Sequence, residues 1–114
     1  MKGEDTTFMN SKVCYGKTFL ESNDLRESNI KNRIELEYYR TKNRKNHFLR
    51  EDSISYGIEI VKKEYQGKKI NIEKEKIDKI CDTKNKIDSI LNKLQKFKVT
   101  PIGLKDVVDD ITQN

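Results

Sequence analysis

The residues best able to carry chemistry gather in one short basic stretch. Lys42, Arg44, Lys45 and Arg50 surround His47 and Phe48, and no carboxylate interrupts them until Glu51. Cations at this spacing suit phosphates, and a ring between them can stack on a base. Arg44, Lys45, His47, Phe48 and Arg50 are therefore the candidate nucleic-acid-binding set. As a catalytic base His47 is poor. Its cationic neighbours disfavour a second positive charge on the ring, and no carboxylate lies near in sequence to orient it. Glu35, Glu37 and Glu59 could meet across neighbouring strands, but carboxylates alternating with Lys and Arg read as cross-strand ion pairs.

Other chemistry finds no constellation. The chain has no nucleophile elbow, P-loop, zincin or dinucleotide-binding pattern. One His and the two separated cysteines, Cys14 and Cys81, do not make a metal set. The cysteines read as buried or half-buried free thiols in a reducing cytosol, with a disulfide or thiol switch as the alternative. The expectation is a protein that is not an enzyme and takes no cofactor.

The elements that must position these residues are easiest to read at the C-terminal end. Ile87, Ile90, Leu91, Leu94 and Phe97 recur at helical spacing over Thr83–Phe97, and Leu104, Val107, Val108 and Ile111 do so over Pro101–Ile111. Asp82 or Thr83 can cap the first helix. Val99-Thr100-Pro101 opens the second with a hydroxyl and then a proline in the first turn. Both stripes need an apolar surface to lie on.

That surface must come from strands. Over Asn32–Thr41, Ile34, Leu36 and Tyr38 alternate with Arg33, Glu35, Glu37 and Tyr39. Over Ser53–Tyr65, Ile54, Tyr56, Ile58 and Ile60 alternate with Ser55, Gly57, Glu59 and Val61, and Gly57 marks a bulge or a close neighbour. Gln66-Gly67-Lys68 is a hairpin turn. A third strand, Lys69–Cys81, places Ile70, Ile72 and Ile80 in the core. Its charged centre implies a bend or bulge near Lys76, and a short helix over Lys74–Ile80 is the alternative. The segment Lys42–Asp52 reads as a loop.

The expected architecture is α+β: a three-stranded antiparallel meander (32–41, 53–65 and 69–81) covered on one face by helices 83–97 and 101–112. Residues 32–114 form the single domain. Residues 1–31 read as a polar tail with one edge strand at Lys12–Leu20, weakened by Gly16.

Composition narrows the function classes. The 114 residues are 33% hydrophobic and 38% charged, which implies one domain with a thin core and no deep active site. No stretch approaches the ~20 apolar residues of a membrane span, and the opening MKGEDTTFMN has no apolar run, so a cytoplasmic protein without membrane contact is expected. The net charge of +5 accompanies high Lys, Asn and Ile usage, a bias typical of A- and T-rich genomes, so it argues only weakly for an acidic partner.

Two binding readings follow. The first is a regulatory or adaptor protein working through protein–protein contacts. Tyr39 and Val61 on the polar sheet face, Phe48 in the basic loop, and Asp106, Asp109 and Asp110 on the last helix are its candidate contact residues. The open edges of a meander also allow a homo-oligomer. The second and weaker reading is nucleic-acid binding through the 42–50 loop. The last helix cannot serve as a recognition helix, because Asp106, Asp109 and Asp110 outnumber Lys105 and would repel phosphates.

The strand Tyr56-Gly-Ile-Glu-Ile60, the Ile80–Asp82 approach to a short helix, and Val99-Thr-Pro-Ile-x-Leu-x-Asp-Val-Val-x-Asp110 together resemble a family of small uncharacterised proteins from spore-forming clostridia. The resemblance spans Arg33–Ile111. It implies a bacterial cytosolic protein with the order strand-strand-strand-helix-helix, and it brings no catalytic residues.

Overall fold

The computed structural model describes residues 6–20, 32–47 and 50–113. Four strands, β1 (Thr6–Leu20), β2 (Arg33–His47), β3 (Arg50–Gln66) and β4 (Lys69–Cys81), precede α1 (Lys84–Lys96), a single 3-10 turn (Pro101–Gly103) and α2 (Leu104–Thr112). The strands form one antiparallel sheet in the order β1-β2-β3-β4.

The expected three-stranded sheet is therefore corrected to four strands. The extra strand is β1, which pairs with β2 from Thr6↔His47 to Leu20↔Ile34. Its alternation is broken at Tyr15, an extra residue between the pairs Cys14↔Tyr39 and Gly16↔Tyr38. That bulge shifts each later side chain to the other face, so Leu20 packs toward the helices while Phe19 lies on the uncovered face.

The 42–52 segment is corrected as well. Lys42–His47 continues β2, and Arg50 already opens β3, with Lys45 opposite Ser53 and His47 opposite Arg50. Backbone hydrogen bonds hold a ladder together whatever its side chains are, so a basic polar segment between two partner strands extends as strand.

On the covered face, Leu36, Tyr38, Ile58 and Ile60 pack under Ile87, Ile90, Leu91 and Leu94 of α1 and Leu104 and Val108 of α2. Thr83 caps α1 by accepting a hydrogen bond from the Lys86 N–H at 3.3 Å. Thr100 makes no such bond; Pro101, buried, opens the 3-10 turn instead. The Tyr38 hydroxyl donates to the Val99 carbonyl at 2.9 Å, tying the α1–α2 connection to the middle of the sheet. Arg40 reaches α1 through a 2.9 Å ion pair with Asp88.

The expected core holds at Ile34, Leu36, Tyr38, Ile58, Ile60, Ile87, Ile90, Leu91 and Leu94, but Phe97, the last member of the α1 stripe, is 68% exposed, Ile70 and Ile72 are 52% and 53% exposed, and Ile54 is exposed. Leu104 is buried in the core, and Val61 is buried on the other face of the sheet. For Ile70 and Ile72 the cause lies in the β3–β4 turn. Gln66 pairs with Lys69 across Gly67-Lys68, with Gly67 at φ 62°, a left-handed conformation that favours glycine. This register sets Ile70 opposite Tyr65 and Ile72 opposite Lys63, on the face away from the helices, and leaves Ile77 to face Ile58 in the core.

Nearer its C-terminal end β4 bulges, as its charged centre implies. Three residues, Asp78–Ile80, occupy the space opposite the single Gly57, and Lys79 takes φ 59°. No helix forms there.

Candidate interaction surface on the uncovered sheet face

Both helices lie on one side of the sheet, so its other side is not covered by any described element. Alternation brings to it Lys17 and Phe19 from β1, Arg33, Glu35, Glu37 and Tyr39 from β2, Glu59, Val61, Lys63 and Tyr65 from β3, and Ile70 and Ile72 from β4.

Glu37 is the hub of this face. It is 4% exposed, and its carboxylate accepts hydrogen bonds from Tyr39 Oη at 2.9 Å and Lys63 Nζ at 3.2 Å. Lys17 Nζ stands 3.4 Å away. Burial pushes the Glu37 carboxyl up, but these donors and the Lys63 charge outweigh it and hold the group below its ordinary value. The Tyr39 hydroxyl is pushed up to about 12, by burial and then by its bond to Glu37. Around the hub, Lys12 pairs with Glu59 at 3.1 Å, Tyr65 Oη donates to Glu35 at 3.1 Å, and the Arg33 guanidinium lies 4.3 Å from the centre of the Phe19 ring. The three glutamates thus sit in ion pairs and phenol hydrogen bonds.

A carboxyl lowered by folding adds stability above its unfolded value and loses it as pH falls through the folded value. For Glu37 that window lies below 4.5. Glu37→Gln is expected to cost about 1–2 kcal/mol at pH 7. It should also reduce the extra destabilisation seen on going from pH 7 to pH 3. Urea titrations at both pH values check this; equal acid sensitivity in the two proteins would refute the assignment.

The sequence-derived contact residues divide between two surfaces. Tyr39 lies on the uncovered face, half-buried, with the Lys12 ammonium 4.6 Å from its ring centre. Val61 lies beside it but is 6% exposed, not the open apolar group that its alternation suggested, because it sits between Glu37 of β2 and Lys74 of β4. Asp106, Asp109 and Asp110 are exposed on α2, in the helical layer on the opposite side. Phe48 lies outside the described residues. Arg44 is half-buried in β2 opposite Ile54, on the same face as Arg40 and Lys42. Lys45, His47 and Arg50 take ladder positions in β2 and β3.

Two features of the face escape the sequence reading. Lys12 and Lys17 reach it only because β1 joins the sheet. Ile70 and Ile72, assigned to the core by alternation, stand on it fully half exposed beside Tyr65. The turn Gln66-Gly67-Lys68 is the one signal that could have found them, since counting pairs outward from it fixes the face of each β4 residue.

Of the cysteines, Cys81 is half-buried against the core, Cys14 is exposed, and both are free thiols. Among the described residues, no group of three or more His, Cys, Asp or Glu could hold a metal ion, and no helix is long and apolar enough to cross a membrane.

No curated protein and no solved structure matches the chain. Residues 17–114, which include the last four residues of β1 and all that follows, match a family of unknown function (DUF6514), and the chain belongs to that family.

Proposed function

We propose that the protein is a non-enzymatic regulatory or adaptor module of the bacterial cytoplasm that binds a protein partner on the uncovered face of its sheet. The observation that carries this reading is the pair Ile70 and Ile72, each more than half exposed next to Tyr65. Apolar groups rimmed by Lys, Glu and Tyr have the composition of a recognition surface. The resemblance to small proteins of spore-forming clostridia supports the bacterial cytoplasmic setting.

Self-association through β4 is the poorer form of the same idea. Lys74 and Lys76 lie on one face of β4, and Glu73 and Glu75 on the other. Antiparallel pairing of two β4 strands about this segment would set lysine against lysine and glutamate against glutamate, and like charges directly opposite are destabilising. The outer edge of β1 lacks this alternation.

The test is an affinity pull-down from the host lysate, with and without nuclease, comparing the native chain with the Ile70→Ser/Ile72→Ser variant. A discrete protein retained equally in both halves by the native chain, and lost by the variant, is the expected result. Retention by both chains would remove the face from consideration.

A second reading has its own observation. Lys42 and Arg44 share one face of β2 within a paired ribbon, an arrangement better ordered for phosphates than a loop. Binding of a labelled oligonucleotide that weakens steeply with added salt, and bound material lost on nuclease treatment, would favour it over the protein partner.

A further inference from the structure

The exposed isoleucines of the uncovered face stand at its edge and not at its centre. Ile70 and Ile72 belong to β4, the last strand of the sheet, where every residue from Lys69 to Lys76 is exposed. Inward of them Val61 and Glu37 are buried. A helix laid across this face would therefore find no apolar stripe of the width it needs. A strand would find one of the right period. Ile70, Ile72, Lys74 and Lys76 follow one another on the same side of β4, roughly 7 Å apart. Beyond β4 no described strand pairs, so its outer N–H and C=O groups can take a further strand.

The charges say what that strand must carry. On this face Glu37 is held by Lys17 and Lys63, Glu59 by Lys12, and Glu35 accepts from Tyr65. Lys74 and Lys76 make no ion pair among the described residues. Charge on an edge strand guards against self-pairing, which accounts for the charged half of β4. It does not account for Ile70 and Ile72, which a guard alone would replace with polar groups. We propose that the protein partner docks by adding one extended, antiparallel strand to the free edge of β4. This rests on the docking reading above and names its chemistry. Antiparallel pairing is the more stable per residue. The incoming strand sets carboxylates opposite Lys76 and Lys74, and apolar side chains opposite Ile72 and Ile70, each about 5 Å across the ladder. On the other side of the sheet Glu75 calls for a cation. Glu73 already pairs with Lys62 at 3.6 Å and Asn71 is neutral, so polar residues suffice there. From its N-terminal end the partner segment thus reads acidic, basic, acidic, polar, apolar, polar, apolar. Main-chain bonds supply its affinity and alternate side chains its specificity.

The probes are two synthetic peptides with blocked ends. Glu-Lys-Glu-Thr-Val-Thr-Val matches the edge. Its isomer Glu-Lys-Val-Thr-Glu-Thr-Val sets one valine against lysine and one glutamate against isoleucine in either strand direction. Each is titrated into the full chain and followed by backbone amide resonances and hydrogen exchange. The matched peptide is expected to shift and protect β4 amides and to bind at least ~5-fold tighter than its isomer. Lys74→Glu/Lys76→Glu changes two exposed, unpaired side chains and should leave the melting temperature unchanged. It should weaken the matched peptide at least ~5-fold and prefer Lys-Lys-Lys-Thr-Val-Thr-Val instead. Equal binding of the two isomers, no binding of the matched peptide, or shifts centred away from β4 would overturn strand addition. The pull-down separates this from the docking reading itself. A partner lost by Ile70→Ser/Ile72→Ser but kept by Lys74→Glu/Lys76→Glu would leave the face as the docking site and remove the β4 edge; loss by both variants is the expected result.

Discussion

Leu91→Ala is expected to destabilise the protein by about 2–5 kcal/mol. Leu91 is fully buried, in one cluster with Ile87, Ile90 and Leu94 of its own helix and Leu36, Tyr38, Ile58 and Ile60 of the sheet. Truncation removes apolar contact and leaves a cavity that rigid strands beneath cannot close. The helix has only 13 residues, a length at which isolated helices are marginal, so its stability comes from this face rather than from propensity. In a urea titration the midpoint should fall with the slope unchanged. Asn92→Ala, one position on and exposed, should stay within about 0.5 kcal/mol of the native chain. A loss below about 1 kcal/mol at Leu91 would mean that α1 does not seal the sheet.

Gly57→Val is expected to destabilise by about 2–3 kcal/mol, against the direction that strand propensity predicts. In an ordinary strand valine outperforms glycine. Here a Cβ on Gly57 would run into the Ile77 carbonyl oxygen and lie 2.7 Å from Thr41 Oγ1 and 2.9 Å from Asp78 Cα. Two of these atoms are backbone, held by the β4 bulge, so relief requires moving the strand and not merely a side chain. Gly16 supplies the control. The atoms nearest a Cβ there are the end of the Gln95 side chain, which can rotate away, so Gly16→Ala should cost less than about 1 kcal/mol. Thermal and urea unfolding of the three chains give the comparison. A neutral or stabilising Gly57→Val would refute the bulge geometry.

Glycine at position 57 also shows how much of the molecule a linear reading can reach. Its place in an alternating strand, opposite a segment of broken periodicity, is enough to predict a bulge or close approach. Which of the two occurs depends on the partner: the bulge belongs to β4, and Gly57 is the space that it occupies. The Glu37 network is half legible in the same way. Alternation puts Glu35, Glu37 and Glu59 on one face, and cross-strand pairing with lysine follows from their company. That Lys12 and Lys17 supply part of that pairing depends on β1. The sequence shows only its Lys12–Leu20 part as an edge strand, because the polar stretch before Lys12 has no alternation and the extra residue at Tyr15 breaks the rest.

What the sequence determined by itself is what local periodicity controls. The stripes of α1 and α2, the cap at Thr83, the alternation of β2 and β3 and the turn at Gly67 are written in neighbouring residues and hold wherever the chain folds. The tertiary structure alone decided which strands pair and which face each one shows. β1 joins the sheet because β2 offers it an unpaired edge, the basic segment 42–47 becomes strand because it lies between two partners, and Ile70 and Ile72 turn outward because hairpin register assigns them to that side. These choices are made by backbone hydrogen bonds between distant residues, and such bonds leave no mark on the side-chain pattern of either strand read alone.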